Sequence, residues 1–134
     1  MSADLLTETA VLAAADGIVA AFARHDTADY FARFAPEATF VFYTHAERLN
    51  SRAEYEALWA SWEAESGFKV HRCVSTERKV QLFEGFAVFT HSVETDVEFD
   101  GSVDTVLERE TVVFTLDAGR WVAMHEHLSP EPAA

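Results

Sequence analysis

A single cysteine, Cys73, stands in the 134 residues. An internal disulfide and the usual cysteine-rich zinc sites are therefore excluded. Basic residues are scarce as well: ten Lys and Arg against 23 Asp and Glu leave a net charge of −13. Nucleic acid and anionic membrane both need a basic face, so neither is expected as a partner. No apolar run approaches the ~20 residues needed to cross a bilayer. No basic segment precedes an apolar stretch at the start, MSADLLTETA, so a secretory signal is not expected and a cytoplasmic location is the default. A phosphate loop, a nucleophile elbow, a dinucleotide fingerprint and a His-Glu-x-x-His motif are all missing.

What is abundant is apolar and aromatic. Hydrophobic residues make up 49% and aromatics 13%, with eleven Phe and three Trp, enough for one well-packed domain over 1–134 with an ordered core at about 4–129. Val11, Ala15, Ile18 and Phe22 recur at helical spacing, predicting a helix over 4–24. Asp26 caps a short second helix, DTADYFARFA, which Pro36 prevents from continuing. The β-branched and aromatic run at 38–45 reads as a strand. Ser51-Arg52-Ala53-Glu54 is a capping box opening a third helix, and Gly67 sits where it stops. Four strands follow at about 68–82, 85–99, 103–116 and 120–129, separated by FEG, DGS and DAG turns. The expected fold is α+β: a curved antiparallel sheet wrapped around three N-terminal helices.

The last two strands carry ionisable groups inside an apolar pattern. A three-residue loop at Asp117-Ala118-Gly119 pairs Phe114 with Val122, Val112 with Met124, and Glu110 with Glu126. The even-numbered face is then apolar and lies under the helices, with Glu110 and Glu126 as its exceptions, directly opposite each other. Two such carboxyls cannot both ionise easily; one held protonated can donate a hydrogen bond while the other acts as base. The alternative is that this end of the hairpin is simply solvated. The odd face carries Arg109, Thr111, Trp121, His125, His127 and Ser129, a mixed surface that suits a subunit interface or solvent. The faces exchange if the turn differs by one residue.

His125 and His127 share a strand face, so a metal site, with His91 as a further candidate, is a weaker alternative to structural histidines. Phe40, Phe42, Tyr55, Trp59, Thr90, Val112 and Met124 are the candidate lining of a small-molecule pocket. No metal and no cofactor is called for.

The segments IVAAFARHDTADYFARFAPEATFVF, SRAEYEALW and GRWVAMHEHLSP resemble the SnoaL-like and ketosteroid-isomerase-like proteins of the nuclear transport factor 2-like superfamily, over nearly the whole chain. The resemblance implies a cone-shaped α+β fold and a homodimer joined through the outer sheet face. It also implies a pocket for a small apolar molecule, served either by cofactor-independent acid–base catalysis on a carbonyl compound or by binding alone. Of the three catalytic positions of the steroid isomerases, the helix tyrosine falls at about Ile18 and the base aspartate at about Phe42. Only the donor carboxyl, at about Glu110, is retained, so steroid isomerisation itself is not implied. The Trp-x-x-x-His-x-His-x-Ser ending also resembles the association domain of calcium/calmodulin-dependent kinase.

Overall fold

A computed structural model describes residues 6–132. Three helices, α1 (Glu8–Ala23), α2 (Thr27–Ala32) and α3 (Arg52–Ser66), cover one face of a five-stranded sheet. The strands are β1 (Phe34–Phe42), β2 (Lys69–Phe83), β3 (Phe86–Phe99), β4 (Ser102–Asp117) and β5 (Arg120–Pro130). The first residues of the helix expected over 4–24 lie outside the described residues.

Local chemistry sets the helix ends. Thr7 Oγ1 accepts the Ala10 N–H at 3.2 Å, Asp26 Oδ1 the Asp29 N–H at 3.1 Å, and Ser51 Oγ the Glu54 N–H at 3.1 Å. Each satisfies a backbone donor that the first turn leaves unpaired. Gly67 ends α3 at φ 62°, a left-handed position that costs glycine little.

The strand order is β1-β5-β4-β3-β2. Neighbours are antiparallel except β1 and β5, which run parallel. The sheet is thus mixed rather than wholly antiparallel, because its edge strand β1 joins β5 only after α3 and three further strands have intervened. Parallel pairing needs such a long connection, and no local signal announces it. β1 also begins at Phe34, not at 38. The helix expected over DTADYFARFA stops short, at Ala32 with Arg33 as its cap, and Pro36 lies within the strand, where the ladder is irregular between Phe34 and Thr39. An edge strand tolerates the missing N–H.

On β3 the buried positions are Ala87, Phe89, His91, Val93 and Thr95, a strict alternation that defines the sheet's inner face. Against it packs an aromatic core. Trp59 meets Phe22, Tyr30, Phe31 and Phe68 with ring centroids 4.9–5.9 Å apart. His25 ties three elements together: its Nδ1 accepts the Val70 N–H at 2.9 Å, so Nε2 carries the proton that it donates to Glu63 at 2.7 Å.

The β4–β5 hairpin differs from expectation in two ways that offset each other. The turn is two residues long: Asp117 pairs with Arg120, and Ala118 and Gly119 have φ of 49° and 81°. Positive φ at both central residues matches the turn's twist to that of the strands. This shifts the register by one and turns Trp121 and Ala123 into the core, so Trp121 is not on the outer face. Then Met124 has no partner: Phe114 pairs with Ala123, but Val113 pairs with His125. The extra residue of this bulge restores the inward setting of Glu126. Glu126 therefore faces Val112, and Glu110 faces Leu128. The two glutamates lie diagonally, not directly opposite.

Candidate functional site

Between the helices and the inner face of the sheet is a cavity of about 410 Å³. Its walls are mostly apolar and aromatic, including Phe42, Tyr55, Trp62, Phe68 and Phe99. Tyr43 (46% exposed) and Phe99 (38%) both line the cavity and reach solvent, marking its mouth. Three carboxyls open into it: Glu108 and Glu110, two residues apart on the inner face of β4, and Glu126 on β5.

The inner two belong to a continuous hydrogen-bond network. Glu126 is 4% exposed. Burial, then the neighbouring charge of Glu110 and a hydrogen bond shared with it, hold the Glu126 carboxyl well above the usual carboxylate range, while a hydrogen bond from Tyr30 acts in the opposite sense. That direction favours the protonated form of Glu126, whose O–H then points towards Glu110. Glu110 Oε1 also lies 2.7 Å from His91 Nε2, and His91 Nδ1 lies 2.5 Å from Ser75 Oγ. With the ring proton on Nε2, His91 donates to Glu110 and its Nδ1 accepts from the Ser75 hydroxyl. On the other side the Tyr30 and Tyr55 hydroxyls are 3.0 Å apart. With Tyr30 donating to Glu126, Tyr55 donates to Tyr30. In that arrangement the donors of both chains, Tyr55–Tyr30–Glu126 and Ser75–His91, point towards Glu110.

Nearer the mouth, Tyr43 donates to Glu108 at 2.6 Å, and Tyr43 itself is pushed up to about 12 by burial and by that carboxylate. Burial raises Glu108, the Tyr43 hydrogen bond lowers it, and the Glu110 charge raises it again. Burial likewise pushes the Cys73 thiol, on the cavity wall, up to about 12.

Of the residues singled out from sequence, Glu110, Glu126, Phe42 and Tyr55 meet at the cavity. Phe40, Trp59 and Val112 lie in the packed core behind its surface, with exposures of 0–2%. Thr90 takes the outward parity of β3, between inward Phe89 and His91. Met124, half-buried, is the bulge residue. His125 bonds Thr39 at 2.8 Å, with its ring 6.2 Å from that of His127, while His91 is on the opposite, inner face. The three histidines therefore do not converge. Among the described residues no group of three His, Cys, Asp or Glu is disposed to hold a metal ion.

Sequence reasoning missed Glu108, Tyr30, Ser75 and the role of His91. Two were within reach. Glu108 follows from strand alternation with Glu110. The Asp100-Gly101 turn, with Phe99 paired to Ser102, sets His91 opposite Glu110 by simple counting. Tyr30 and Ser75 carry no comparable signal.

The model of the SnoaL-like domain matches residues 11–133. The chain belongs to that family. Among solved structures, this SnoaL-like domain is similar to an NTF2-like protein from Cytophaga hutchinsonii, with a TM-score of 0.79 and 13% identity over 98% of this chain and 100% of that one. A ketosteroid isomerase-like protein from Erwinia carotovora atroseptica gives a TM-score of 0.78 and 18% identity over 98% and 100%. The CamKII hub homology domain of Chlamydamonas reinhardtii gives 0.71 and 18% over 94% and 100%. At these identities the likeness is one of fold, that of the nuclear transport factor 2-like superfamily. Among curated proteins there is no match. No helix among the described residues is long and apolar enough to cross a membrane.

Proposed function

We propose that this SnoaL-like domain is a cofactor-independent acid–base enzyme acting on a small, largely apolar carbonyl compound. The observation that carries this reading is the buried Glu126, pushed towards its protonated form beside Glu110, in a cavity whose walls are mostly apolar and aromatic. Glu110, oriented by His91, takes the proton from the carbon next to the carbonyl. The C–H electron pair moves into a new C=C bond, and the carbonyl oxygen, gaining charge, takes over the hydrogen bond that Glu126 gave Glu110 before the substrate bound. Return of the proton to a different carbon gives an isomerisation; loss of a hydroxyl from the β carbon, protonated as it leaves, gives a dehydration.

The test is deuterium incorporation from D₂O into a panel of apolar ketones, followed by NMR. Wild type exchanges the carbon-bound proton, and Glu110→Gln slows exchange by at least about 100-fold, the usual range for a lost general base. An unchanged rate in the folded variant would overturn the assignment.

A second reading, binding without chemistry, is favoured by Ile18 and Phe42. Both line the cavity with apolar groups at the positions where the steroid isomerases carry catalytic ones. It predicts ligand-dependent thermal shifts with no exchange in any ketone of the panel.

We infer also that the domain forms a homodimer through the outer sheet face. The apolar contribution there comes from Val74, Val103 and Leu107, which are 37–55% exposed, rather than from Trp121. The fold shared with a hub homology domain supports the same reading. Light scattering behind size exclusion should give twice the chain mass; the mass of a monomer would refute it.

A further inference from the structure

Taking this cavity to be the substrate site, we propose that its ligand carries a protonated amine, seated between Glu108 and Glu110 with its apolar body against the aromatic wall. The first ground is an imbalance of donors and acceptors. Glu108 receives the Tyr43 hydroxyl, and Glu110 receives His91 and Glu126. Each carboxylate offers about four acceptor positions, so acceptor capacity remains on the cavity side. No lysine or arginine lines the cavity. Arg109, between the two glutamates in sequence, takes the opposite strand face and meets Glu131 at 3.6 Å. A ligand that displaces water from these carboxylates has to replace the donors that the water supplied, and an ammonium supplies three from one atom.

The second ground is the wall. Tyr43, Tyr55, Trp62, Phe68 and Phe99 present ring surfaces to the same space as the carboxylates. Aromatic faces attract cations, and the attraction grows as water is excluded. An anionic ligand would face Glu108 and Glu110 with no basic side chain to offset the repulsion. The third ground is long-range: a net charge of −13 concentrates cations near the mouth and repels anions. A metal ion would satisfy charge alone, but the carboxyls and His91 are not grouped to ligate one.

The experiment is calorimetric titration with three ligands that share an indole ring and differ in charge: tryptamine, tryptophol and indoleacetate. Tryptamine should bind at least about tenfold more tightly than tryptophol, the scale of one charge-assisted contact in a desolvated site, and indoleacetate should bind weakest. Glu108→Gln combined with Glu110→Gln should abolish the preference. If that double variant does not fold, the ranking in wild type decides. Equal affinities, a preference for indoleacetate, or no binding by tryptamine would overturn the proposal. The ketone exchange assay is independent. Ketone exchange that depends on Glu110, without an amine preference, removes only this inference. An amine preference with exchange unaffected by Glu110→Gln removes only the catalytic one.

Discussion

His91 and Glu110 stand directly opposite each other on β3 and β4, with Nε2 and Oε1 2.7 Å apart. His91 is 4% exposed, and a phenyl ring in its place would fill the same space without offering a donor. His91→Phe should therefore cost about 1–3 kcal/mol of stability, the penalty for leaving a charged acceptor short of a donor. His91→Gln, which keeps an N–H, should recover part of that loss. Urea denaturation of both variants checks the order.

The raised Glu126 implies a definite pH dependence. In the unfolded chain this carboxyl ionises near its ordinary 4.5, while in the folded chain it stays protonated to much higher pH. The folded state binds the extra proton above 4.5, so the contribution of Glu126 is fully present below that pH and is lost as pH rises towards the folded value. Glu126→Gln does not titrate. Its stability relative to wild type should climb as pH rises above about 4.5, with a slope of up to about 1.4 kcal/mol per pH unit. Parallel denaturation curves at several pH values with a constant difference would contradict this.

Met124 is the extra residue of the bulge. Deleting it would leave Ala123 opposite Phe114 and His125 opposite Val113, a regular ladder in which Glu126 still faces Val112. The deletion should therefore keep a cooperative thermal melt, and loss of cooperativity would contradict this register. Met124→Ala, which keeps the backbone count, should remain folded with a loss of a few kcal/mol at most.

Ala118 sits at φ 49° in the first position of the β4–β5 turn. Asparagine adopts that left-handed conformation more readily than alanine. Ala118→Asn should raise stability by roughly 0.5–1 kcal/mol, on the scale of other relieved turn conformations. The midpoint in urea should rise with an unchanged slope.

How far the fold was legible depends on the range over which its signals act. The caps at Ser51 and Gly67, the alternation through β3 and the turn at Asp100-Gly101 are determined within a few residues, so helix α3 and the β3–β4 hairpin could be read directly. The hairpin β4–β5 was harder. A three-residue reading of Asp117-Ala118-Gly119 placed Glu126 inward for the wrong reason, since the real turn alone would have turned it outward. The bulge at Met124 reversed that, and nothing within the local sequence marks it.

The sequence by itself determined an acidic chain rich in apolar residues, its α+β order of elements, and the presence of two carboxyls among apolar neighbours in its last hairpin. These follow from composition, capping and periodicity, all short-range properties. Only the tertiary structure decided that β1 lies parallel to β5, that Trp121 turns inward, and that Tyr30 and His91 reach the glutamates from α2 and β3. Each depends on packing between segments far apart in the chain. A carboxyl becomes a proton donor only when such packing removes its water and brings a second charge beside it. Glu126 meets both conditions, and neither is written in its neighbours along the chain.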